Sequence, residues 1–86
     1  MENNKIQNKV KVYWIANNPT ALELKSKLNE RKIQFEEHDV SLSAADAIEM
    51  IKRTGQNSNP LIVYEDKQWV IGGQLSFESV LNQLKN

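Results

Sequence analysis

The 86-residue sequence contains no cysteine. That excludes disulfides, thiolate metal sites and every reaction that needs a thiol nucleophile, thiol–disulfide exchange included. Histidine occurs once, as His38, with no second ligand at metal spacing. It is read as a strand-end residue, and no metal is expected. A surplus of either charge is also missing: eleven Lys plus Arg balance eleven Asp plus Glu. Nucleic acids and anionic membranes are held by a basic surplus, so neither partner is expected. No apolar run approaches the roughly 18 residues of a membrane span. Residues 1–9 are polar and Asn-rich, without the apolar stretch of a secretory signal. A monomeric, cytoplasmic protein is expected.

What is present is an ordinary globular composition, 40% apolar and 26% charged. The length suits one domain that buries about two-thirds of its unfolded surface. Residues 1–9 are read as a disordered lead-in and residues 10–86 as the domain.

Residues 10–15, rich in β-branched and aromatic side chains, read as a first strand. Asn18 followed by Pro19 is a helix start: the Asn side chain caps a free N–H, and Pro at the first helical position loses no hydrogen bond. The helix extends to Arg31, with Ala21, Leu24 and Leu28 on one face and Glu23 paired to Lys27. Residues 33–40 read as a second strand, with Ile33 and Phe35 alternating against polar neighbours. Ser41 or Ser43 caps a second helix with an apolar stripe of Ala44, Ile48 and Ile51, ended by Gly55. Residues 61–64 and 68–71 flank Glu65-Asp66-Lys67 as a β-hairpin. Ser76 caps a last helix in which Phe77, Val80, Leu81 and Leu84 recur at helical spacing. The order is β-α-β-α-β-β-α. It predicts an α/β fold with a four-stranded mixed sheet and helices on both faces.

Four markers stand in sequence at telling spacings: Val12-Tyr13 leading to Pro19, the run 33–41, Thr54-Gly55-Gln56 ahead of Pro60, and Gly72-Gly73 after the hairpin. Together they resemble the glutaredoxin family, a thioredoxin-like fold, over residues 10–84. The family's catalytic motif is Cys-Pro-x-Cys at the start of the first helix. The matching residues here are Asn18-Pro19-Thr20-Ala21, so Pro19 is kept while Asn18 and Ala21 occupy both cysteine positions. The helix N-terminus that would stabilise a thiolate remains, without the thiolate. The resemblance makes Pro60 a cis-proline. It also implies that Asn59 offers its backbone N–H and C=O to a substrate segment, a contact independent of side-chain identity.

The family's ligand is glutathione. Gly72 and Gly73 match the glycines that admit it, and Ser76 stands where the family often has Asp. A lysine and a second basic residue of that site are replaced by Ile15 and Asn57, so two charged anchors are missing and no cofactor is expected. Thr20 has no adjacent base and is read as helix-start packing rather than a nucleophile. Trp14 and Trp69 are read as core or sheet-face residues. Glu36, Glu37 and Asp39 are read as a solvated strand edge. Asn17, Asn18, Asn57 and Asn59 converge on the former active-site rim if the resemblance holds.

The expected function is a redox-inactive binding module. It takes an unidentified protein segment or small ligand in a groove of Asn59, Pro60, Gly72, Gly73 and Ser76 beside Asn18. Two alternatives stand beside it: an oxidoreductase scaffold whose cysteines were lost or replaced, and an interaction protein that uses another surface.

Overall fold

The computed structural model describes residues 10–72 and 77–84. The expectations for residues 1–9, for Gly73 and for a Ser76 cap fall outside them. The elements are β1 (Val10–Trp14), α1 (Pro19–Glu30), β2 (Glu36–Asp39), α2 (Ala44–Thr54), β3 (Leu61–Tyr64), β4 (Lys67–Val70) and α3 (Phe77–Leu81). The four strands form one mixed sheet in the order β2-β1-β3-β4. β1 runs parallel to β2 and antiparallel to β3, and β3 runs antiparallel to β4.

The apolar runs take the two central places. Val10, Val12, Tyr13 and Trp14 on β1 and Leu61, Ile62 and Val63 on β3 are all buried, whereas β2 and β4 are more polar and more exposed. A strand covered on both faces needs apolar side chains on both. On one face α1, α3 and the residue Leu84 beyond it bring Ala21, Leu24, Leu28, Val80, Leu81 and Leu84 against Val10, Val12, Trp14 and Ile62. On the other, Met50 of α2 packs with Tyr13, Leu61, Val63 and Val40. Trp14 is buried; its indole N–H donates to Glu37 Oε2 at 2.8 Å, and its ring meets Phe35 edge-on. Trp69 is partly buried against the same core.

Four local expectations need correction. The second strand begins at Glu36, not Ile33. The reason lies in how α1 ends. Ile33 N–H donates to Leu28 O and Lys32 N–H to Asn29 O, with Lys32 left-handed at φ 59°. This is a Schellman close with Ile33 packed into the core beside Leu28, and it consumes the residues assigned to the strand. In the hairpin, Tyr64 pairs with Lys67, so β4 starts one residue early and the loop is only Glu65-Asp66. Lys27 turns to the ring of Phe77, 5.8 Å from its centroid, rather than to Glu23.

The fourth correction concerns α2. Ile48 and Ile51 are 59% and 47% exposed and Ala44 is exposed as well, while Met50 is fully buried. Ala44, Ile48 and Ile51 form one i, i+4, i+7 stripe; Asp46, Met50 and Arg53 form another, about 160° around the helix. Polar ties select the second stripe. Asp46 meets His38 Nδ1 at 3.1 Å, and Arg53 Nη1 donates to Gln68 at 3.4 Å while Gln68 donates back to Arg53 O at 3.2 Å. Turning the isoleucines inward would break these contacts and withdraw Met50. His38 is held further by stacking on Tyr13 and by Glu36 at 2.6 Å from Nε2. Among the described residues, no helix is long and apolar enough to cross a membrane.

Urea denaturation checks the orientation of α2. Met50→Ala is expected to cost about 2–5 kcal/mol. Ile48→Ala stays within about 0.5 kcal/mol, as an exposed substitution should.

Candidate functional site

The register fixes which loops meet. β1, β2 and β4 finish at the end of the sheet where β3 starts. That end collects the turn from Ile15 to Asn18, the loop into Pro60, and the exit through Ile71 and Gly72. In open α/β sheets, ligands bind outside the carboxyl ends of the strands.

The first helix opens there on Asn18. Its extended backbone (φ −69°, ψ 136°) places Oδ1 to accept from Thr20 N at 2.8 Å and Ala21 N at 3.3 Å. Asn18 O accepts from Leu22 N at 2.9 Å, and Pro19 has no N–H. Every backbone donor in the first turn is therefore absent or taken. A helix start left uncapped offers such donors to an anion; here a neutral side chain of the same chain fills them. Ala21, at the second cysteine position, is completely buried against Val12 and Leu24 in the α1 core. Thr20 contributes its backbone N–H, and no side chain among the described residues hydrogen-bonds its hydroxyl.

Across the sheet end, Pro60 is buried and its carbonyl accepts from Ile71 N at 2.7 Å, which ties β4 to the start of β3. The Asn59–Pro60 bond is trans, because no cis peptide occurs among the described residues. The expectation of a cis-proline is corrected accordingly. Trans is the lower-energy isomer by about 0.5–1 kcal/mol for X-Pro. Gln56 closes the loop. Its Oε1 accepts from Asn59 N at 2.8 Å and Ser58 N at 3.0 Å, and its Nε2 donates to Asn59 O at 3.2 Å. Gly72, at φ 138°, lies under Asn59: a Cβ there would meet Asn59 Cγ and Oδ1 at 3.5 Å. Only glycine accepts that backbone readily, and it lies against the Asn59 side chain. Gly73 and Ser76 fall outside the described residues, and Asn17 and Asn57 are exposed. Ile15, where the family places lysine, packs against the α2-side core.

The Asp39 carboxylate, at the end of β2, buttresses this end. Asp39 Oδ1 accepts from the Ser41 hydroxyl at 2.6 Å and from Ser41 N at 3.0 Å. The Ser41 hydroxyl, helped by the Ser41 and Ala16 N–H groups against a partial desolvation, holds the Asp39 carboxyl below the usual range. Asp39 thereby links the end of β2 to the loop entering α1. Glu36 and Glu37 are likewise engaged, by His38 and by Trp14 and Lys25. Among the described residues, no three His, Asp or Glu side chains converge as a metal site. A shallow hollow lined by Asn29, Lys32, Ile33, Gln34 and Phe35 lies at the opposite end of α1 from Asn18.

The chain thus has a thioredoxin-like architecture of the glutaredoxin type. The solution structure of glutaredoxin from Brucella melitensis superposes with a TM-score of 0.64, covering 87% of this chain and 79% of that one. The two are 24% identical, a likeness that shows the fold. Neither a protein-family model nor a curated protein matches the sequence.

Asn18→Ala is expected to cost about 0.5–2 kcal/mol, because it frees the Thr20 and Ala21 donors; thermal or urea unfolding reads this directly. Asp39 has its folded pKa below the unfolded one. Its stabilisation is therefore present above the unfolded value and lost as pH falls through the folded value. The stability advantage of the native chain over Asp39→Asn, followed by urea denaturation, should shrink as pH drops below about 4.

Proposed function

We propose that the chain is a redox-inactive binding module of glutaredoxin fold. It takes an extended protein segment or small ligand at the sheet end where Asn18, Asn59, Pro60 and Gly72 meet, acting as a monomer in the cytoplasm. The supporting observation is the state of the first cysteine position. Asn18 there is a helix cap with both ring-closing hydrogen bonds made, so the position serves structure and carries no nucleophile. The second position is an alanine sealed in the core. The rim around them is neutral: Asn17, Asn57, Ser58 and Asn59 offer amides and a hydroxyl rather than charge. Such groups suit the peptide backbone or another uncharged polar ligand. They do not suit the carboxylates of glutathione, whose charged anchors are missing.

A second reading draws on a different observation. Leu42 is 84% exposed, and Ile48 and Ile51 stand out from α2. An interaction protein would use that face in place of the groove.

Amide-resolved NMR separates the two during titration with glutathione and with proteins captured from a lysate. Shifts confined to Asn18, Thr20, Asn59 and Gly72 support the groove. Shifts confined to α2, unaffected by Asn59→Ala, move the function to the helix face. The doubly substituted Asn18→Cys, Ala21→Cys chain, assayed for disulfide reduction, tests the scaffold reading: recovered turnover would favour a disabled oxidoreductase.

A further inference from the structure

The contact between Gln56 and Asn59 has the form of strand pairing. Asn59 gives its N–H to Gln56 Oε1 and receives Gln56 Nε2–H at its own C=O, 2.8 and 3.2 Å apart. One residue exchanging both main-chain groups with one partner is the hydrogen-bonded pair of an antiparallel sheet. Here the partner is a side-chain carboxamide, which carries the same donor and acceptor as a peptide group. The remaining Gln56 bonds fix its orientation. Oε1 also accepts from Ser58 N, and Nε2 also donates to Thr54 Oγ1 at 3.3 Å. The reversed amide would set an NH₂ against two N–H donors. Thr54 is itself anchored to Met50 O at the end of α2. Asn59 is exposed and leads straight into β3, the strand that lies between β1 and β4.

We infer that Gln56 is an intramolecular latch: its carboxamide occupies the main-chain pairing groups of Asn59, and an extended peptide gains them only when Gln56 swings away. This rests on the groove reading above and adds its regulation. Both bonds are solvent-exposed, so water and an incoming backbone compete for them directly. The partner that fits is an extended segment presenting one free N–H and one free C=O on the same edge, the pattern of strand addition. Because binding requires the open form, the latch lowers apparent affinity in proportion to the fraction open.

The test uses the full chain, Gln56→Ala and Gln56→Glu. The glutamate can still accept from the Ser58 and Asn59 amides but cannot donate to Asn59 O. Solvent-exchange NMR reads the Ser58 and Asn59 amides, and an equimolar pool of short unstructured peptides is the binding probe. Faster exchange at Asn59 in Gln56→Ala is expected, with pool binding at the rim roughly fivefold tighter than for the native chain and Gln56→Glu between them. Unchanged Asn59 exchange in Gln56→Ala overturns the latch. So does equal pool binding by the native and Gln56→Ala chains; in that case the groove reading stands. No rim shifts with the pool in any of the three proteins overturns both.

Discussion

The pairing of β1 with β3 is the constraint on which the other features depend. Val12 faces Ile62 and Tyr13 faces Leu61 across it. Alternate residues of the two strands feed opposite cores: Val10, Val12, Trp14 and Ile62 meet α1 and α3, while Tyr13, Leu61 and Val63 meet α2. A slip of one residue would exchange the two sets and strand Trp14 on the side that accommodates Met50. The same register sets the candidate site. With Tyr13 opposite Leu61, the chain leaves β1 for Asn18 at the end of the sheet where Pro60 enters β3. Site geometry is thus a consequence of core packing, and no separate interaction has to bring Asn18 and Pro60 to one end.

At that end, the polar chemistry is turned inward. A helix start and an exposed main-chain segment leading into a strand are two places where backbone groups can meet a ligand. In this chain each is satisfied by a carboxamide: Asn18 on the Thr20 and Ala21 amides, Gln56 on both groups of Asn59. A thiolate at position 18 would interact with the helix end through charge, and burial or a competing cation would change that strength. An asparagine makes a comparable hydrogen bond with no ionisation, so its contribution does not vary over the physiological pH range. The helix start is therefore satisfied by the chain itself, without an ionisable group.

Local signals made much of this legible in the sequence. Asn18-Pro19 announced the helix start because capping is a short-range matter of one side chain and two amides. Gly55 announced the end of α2 for the same reason, through its left-handed φ of 74°. What depended on distant partners was not legible. The apolar stripe of α2 was visible, but not which of two opposed stripes meets the sheet; that is decided by His38 and Gln68, which lie on other elements. The start of β2 is not legible because Lys32 adopts a left-handed conformation that favours glycine, and a lysine gives no warning of it. Nothing in the sequence marks Gln56 as a site residue. Its side chain acts three residues away inside a loop of Asn and Ser, where many pairings are equally compatible with the sequence.

The energetics of the loop limit what a groove ligand can be. A peptide that displaces Gln56 from Asn59 trades two exposed hydrogen bonds for two of the same kind, each worth only about 0.5–1.5 kcal/mol net. The exchange is close to neutral, so backbone pairing supplies orientation while affinity has to come from elsewhere. Pro60 is buried and its carbonyl is taken by Ile71, and the flanking side chains are short amides; little apolar area is available at the rim itself. The exposed large apolar side chains among the described residues are Leu22, in the first turn of α1, and Leu42, Ile48 and Ile51, on and before α2. Ile51 sits one helical turn ahead of Gly55, and Gln56 follows at once. A partner that pairs with Asn59 alone must therefore bind weakly. A partner that binds tightly has to bury apolar surface as well, and Leu22 on α1 and the exposed stripe of α2, continuous in sequence with the latch, offer it.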